Sequence, residues 1–113
     1  MTTNGDLDRL LREVTQQAKS SFGGDLDAVI LYGSHARGEA VVESDIDIML
    51  LVRQSKEQLA GQRLAWSSFG TAIDLKYDAF TSFKLQDAET FYAWKDILPF
   101  FRNVAKEGVY LSG

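Results

Sequence analysis

At 113 residues the chain is long enough for one hydrophobic core but too short for a catalytic domain plus a separate substrate domain, so one domain over residues 1–113 is expected. Twelve basic against sixteen acidic residues give a net charge of −4 with no basic stripe, which disfavours duplex nucleic acid, whose binding rests on phosphate neutralisation. The absence of cysteine excludes disulfides and thiolate metal sites, and neither a membrane span of roughly 20 apolar residues nor a signal-peptide pattern is present, so a cytoplasmic location is expected.

Residues 6–21 read as an amphipathic helix, with Leu7, Leu10, Leu11, Val14 and Ala18 on one stripe, Asn4 placed to cap it and Gly23-Gly24 to stop it. The apolar run from Ala28 to Tyr32 has the length of a strand and stops at Gly33. Ser34 is placed to cap a single helical turn whose free amides would face an anion, Arg37 follows one turn later, and Gly38 closes it. A strand over 45–52 comes next. A helix over 55–70 opens with Ser55 and Gln58 in capping-box spacing and stops at Gly70. Alternation of Ile73, Leu75 and Tyr77 predicts a strand over 71–78, with Asp74, Lys76 and Asp78 on its other face. The pattern then weakens until Pro99, which suits the first turn of a helix running to about Glu107; Gly108 ends it, and 109–111 form a last strand. Phe91, Tyr92, Trp94, Phe100 and Phe101 are more aromatics than a small core buries easily, so at least one is expected to contact a partner.

Two of these segments carry chemistry. On the strand over 45–52, Asp45 and Asp47 share one face while Ile46, Ile48 and Leu50 anchor the other. Carboxylates two residues apart on a strand stand roughly 6.5 to 7 Å apart at the backbone, which lets them converge on divalent metal ions about 3.5 to 4 Å apart. The preceding turn adds a phosphate site: Gly33 permits close backbone approach, Ser34 offers a hydroxyl, and the Arg37 guanidinium reaches the same oxygens. Phosphate beside metal is the chemistry of nucleotidyl transfer. A third carboxylate would complete the metal shell and take the proton of an attacking hydroxyl; Asp74, flanked directly by apolar residues, is chosen over Asp78. The bland alternatives are a solvated edge strand at Asp45 and Asp47, a merely capping Ser34, an Arg37 that only pairs with a nearby acid, and a Lys76 bonded to Asp74 or Asp78.

GSHARG, a short spacer, SDIDIML, a downstream AIDL and the ending PFFRNVAKEGVYL together resemble the minimal nucleotidyltransferases of the DNA polymerase beta-like superfamily, over most of the chain. That resemblance implies an α/β (α+β) fold, a mixed β-sheet with helices packed on it, with two magnesium ions and ATP or another nucleoside triphosphate as donor. Position by position, Gly33 and Ser34 are similar to the family's phosphate-binding pair, Asp45 and Asp47 to its metal ligands and Asp74 to its third carboxylate. His35 falls at a variable position. Family members of this size commonly stand beside a small helical protein, a HEPN-type toxin, as the antitoxin of the pair, and can modify it with AMP. The expectation is therefore a protein adenylyltransferase; an inactive binding module that silences its partner by covering it, and a drug-modifying enzyme, are the competing readings.

Overall fold

Residues 4–41 and 44–112 are described in a computed structural model of the chain. Helix α1, Asn4–Phe22, turns its apolar stripe inward, with Leu10, Val14 and Ala18 fully buried. The cap expected at Asn4 lies outside the described side chains. A short 3-10 turn, Gly23–Asp25, leads into strand β1, Leu26–Tyr32. A one-turn helix α2, Ser34–Arg37, precedes strand β2, Ile46–Val52. Helices α3, Lys56–Ala60, and α4, Arg63–Tyr77, lead to strand β3, Thr81–Asp87. Helices α5, Ala88–Trp94, and α6, Pro99–Glu107, and strand β4, Val109–Ser112, follow.

The four strands form one mixed sheet in the order β3-β2-β1-β4, with β1 antiparallel to both its neighbours and β3 parallel to β2. Apart from Asp47, every residue of β2 is buried, because helices cover both faces of the sheet. On one face Val29, Leu31, Ile48 and Leu50 pack with Leu10 and Val14 of α1 and with Trp66 and Ile73 of α4. On the other, Ala28, Ile30, Met49 and Leu51 meet Phe91, Phe101 and Val104 of α5 and α6. Each such side chain contributes about 1.5 to 3 kcal/mol by leaving water, so the two motif-bearing strands occupy the most strongly held part of the molecule.

The expected fold stands, but its middle is rearranged. Ser55 and Gln58 form the capping box, Ser55 N donating to Gln58 Oε1 at 2.9 Å and Gln58 N to Ser55 Oγ at 3.1 Å. The helix they open ends at Ala60. The next one passes through Gly70 and runs to Tyr77, so the strand expected over 71–78 is helix. Trp66, Phe69, Gly70, Ile73 and Tyr77 recur at helical spacing toward the core, and this period outweighs the local alternation. Gly70 is not a stop. A Cβ there would lie 3.1 Å from the Phe83 ring, so glycine serves close packing of α4 on β3. The true terminator is Asp78, which takes the left-handed conformation at φ 52° and donates its N–H to Asp74 O.

Candidate active site

The site grows from the end of β1. Gly33 adopts φ 76° and ψ −154°, a combination reserved for glycine, and a Cβ on it would collide with Asp47 Oδ2. Backbone and carboxylate therefore touch across the sheet. Gly33 occupies the cap position of α2 and Ser34 its first turn, so Ser34 does not cap; among the described residues its hydroxyl bonds to no other group. Arg37 N donates to Gly33 O at 3.2 Å and Glu39 N to Ser34 O at 2.9 Å, and Gly38 closes the turn at φ 72°, as expected.

The connection back to β2 is tied to that turn. His35 Nε2 lies 3.3 Å from Ser44 O, and Val41 N donates to Ser44 Oγ at 2.8 Å. Ser44 thus fixes where Asp45 emerges, exposed and just before β2, while Asp47 sits half-buried one strand repeat further on. Burial and then the neighbouring Asp45 charge push the Asp47 carboxyl above its ordinary range, against opposing pulls from His35 and Arg37. Two such carboxylates, all oxygen donors with mutual repulsion to relieve, suit a hard divalent cation such as Mg2+.

Arg37 stands close enough to influence Asp47, but its Nε pairs with Glu39 at 3.1 Å and its Nη1 with Glu107 at 3.7 Å. Both contacts are exposed and can be exchanged for a phosphate. Tyr32 pairs across the strands with Asp47, and burial, then the Asp47 charge, raises its hydroxyl pKa. Phe100 packs edge-on against Tyr32 with ring centroids 5.6 Å apart.

Asp74 does not join this group. It lies on helix α4 at the opposite face of the sheet, where its Oδ1 accepts from Thr81 N and Thr81 Oγ1, both at 2.8 Å. Lys76 bonds Glu13 of α1 at 3.0 Å instead of Asp74 or Asp78. Beside Asp47 on the parallel neighbour β3 stand Ser82 and, next to Met49, Lys84. Among the described residues no three His, Cys, Asp or Glu side chains converge, and the carboxylates described on the acidic face are those of Asp45 and Asp47. Tyr32, Ser82, Lys84 and Phe100 were not read as site residues. The alternation of Phe83 and Leu85 against Ser82 and Lys84 was the available signal for a strand there.

Residues 7–107 match the family signature of the nucleotidyltransferase domain. Three proteins of Methanocaldococcus jannaschii, provisionally named protein adenylyltransferases, resemble the chain. One is 45% identical over 47 residues, although that match spans only 42% of this chain and 32% of the relative's length. Another is 30% identical over 101 residues, covering 89% of this chain and 93% of the relative. The third is 32% identical, covering 65% and 72%. Among solved structures, a nucleotidyltransferase-type protein from Sulfolobus solfataricus superposes over 90% of this chain and 76% of its own, with a TM-score of 0.56 and 24% identity. A mutant form of the MntA-HpeT toxin-antitoxin complex superposes over 90% and 72%, with a TM-score of 0.53 and 17% identity. These two likenesses concern the fold.

Proposed function

We propose, because the chain belongs to the nucleotidyltransferase domain family, that it transfers AMP from ATP to a hydroxyl side chain on a small partner protein, as the antitoxin of a toxin-antitoxin pair. One observation carries this reading: the glycine-only turn at Gly33 is pressed against Asp47, so a phosphate held at the turn lies beside the carboxylates. In the reaction the acceptor oxygen attacks the α-phosphorus, the bond to the β-phosphate oxygen breaks, pyrophosphate leaves with that electron pair, and the acceptor proton passes to solvent. Gly33 and Ser34 bind the phosphates, and Arg37 exchanges its surface acids for them. Asp45 and Asp47 would hold divalent magnesium, which lowers the charge repulsion between triphosphate and protein.

The protein acceptor is supported by the provisional names of the relatives and by the toxin-antitoxin neighbour. A small helical toxin of the HEPN type is the partner implied by the family. Tyr92, Trp94 and Phe100, between about two-fifths and half exposed on α5 and α6, supply a surface on which such a protein can dock, whereas Phe91 and Phe101 are core. The test is incubation with ATP labelled at the α-phosphate, magnesium and the protein encoded beside this one. Label should reach that protein with the wild-type chain and not with Asp47→Asn. A stable, silencing complex without label would replace transfer by simple binding.

A further inference from the structure

We propose that Lys84 is a catalytic residue of the transfer, its ammonium binding the non-bridging oxygens of the α-phosphoryl group as that group passes to the acceptor. The inference rests on the transfer reading above and begins from the register of the sheet. Asp47 on β2 lies between the Gly33 turn at the end of β1 on one side and β3 on the other. A triphosphate tail held at the turn therefore places its reacting end toward β3. There the alternation turns Ser82 and Lys84 to the same face as Asp47.

Lys84 is the cation of that strand, and its surroundings fit a charge kept for a ligand. Among the described residues it forms no ion pair, unlike Arg37 and Lys76, which are both neutralised by glutamates. Its Nζ lies 5.7 Å from the centroid of Phe100, whose ring packs on Tyr32, the cross-strand partner of Asp47. The Phe100 ring thus draws the Lys84 ammonium toward the face of the sheet that carries Asp47. A third carboxylate would bind metal at the acceptor side; a lysine there supplies positive charge directly, which suits a phosphoryl group gaining negative charge on its equatorial oxygens.

The prediction separates chemistry from binding, because Lys84 addresses the reacting phosphoryl and not the triphosphate tail. Lys84→Met should lower the transfer rate by about tenfold to a hundredfold, the range for one charged hydrogen bond, and Lys84→Arg should recover part of it. Calorimetric affinity for magnesium with a nonhydrolysable triphosphate should fall by less than the transfer rate does, given that the turn and both carboxylates remain. The Nζ resonance of Lys84 in isotope-labelled protein should shift when magnesium and that analogue are added together. Wild-type transfer by Lys84→Met while Asp47→Asn is inactive would overturn the role of Lys84 and leave the transfer reading intact. An unmoved Nζ resonance on saturation would overturn it as well. If Asp47→Asn also transferred normally, the transfer reading itself would fall.

Discussion

Gly33 and Asp47 define each other. The turn needs a residue with no side chain for two separate reasons, its dihedral angles and the carboxylate packed against it. Gly33→Ala should accordingly cost about 1 to 3 kcal/mol, measurable as a lower Tm, and should reduce nucleotide affinity by more than the fold loses stability. Asp47 presents the converse case. Its carboxyl pKa is raised in the folded chain above the ordinary value of 3.8, so the ionised form is less favourable folded than unfolded. That penalty is present at neutral pH and vanishes as pH falls through the ordinary value, where both states are protonated. Asp47→Asn should therefore raise Tm at pH 7 while abolishing transfer, and the two proteins should melt together near about pH 3. A gain that persists unchanged in acid would mean that shape, not charge, is the cause.

Among the elements, α4 shows where sequence and structure part. The motif strands were legible because one is a short apolar run that stops at a glycine and the other opens with acids alternating with apolar residues, and nothing nearby contradicts either. The segment 71–78 satisfied two periods at once. Ile73 is inward on either reading, but a strand would put Leu75 beside it, whereas the helix leaves Leu75 82% exposed. Ile73→Ala should cost about 2 to 5 kcal/mol and Leu75→Gln less than about 0.5 kcal/mol in chemical denaturation. Comparable losses would restore the strand. With α4 a helix, Asp74 becomes a local fastener that satisfies Thr81 at the start of β3, a role without any sequence signature. The third acidic position was sought by residue type, and the strand that faces the site offers serine and lysine instead.

Across the whole molecule, a net charge of −4 means that a triphosphate approaches a like-charged body and meets the Asp45 and Asp47 carboxylates at the candidate site. Binding of a nonhydrolysable triphosphate should therefore be at least about tenfold weaker after chelation of divalent metal, by calorimetry. Equal affinity in both conditions would remove the metal from Asp45 and Asp47. Of the exposed aromatics of α5 and α6, Phe100 packs on Tyr32 beside the acidic face, whereas Tyr92 bonds Asp27 at the far end of β1, so the proposed acceptor protein would reach the site from the Phe100 side.

The placement of both motif strands at the centre of the sheet bears on how such chains change over generations. The residues proposed to hold phosphate and metal stand on or at the ends of the two strands with neighbours on either side, where most substitutions cost folding as well. The helical surface of α5 and α6 and the edge strands bear far less of the core. Substitutions on the outer helical surface can therefore accumulate at less cost than those at the centre, which stays under double constraint.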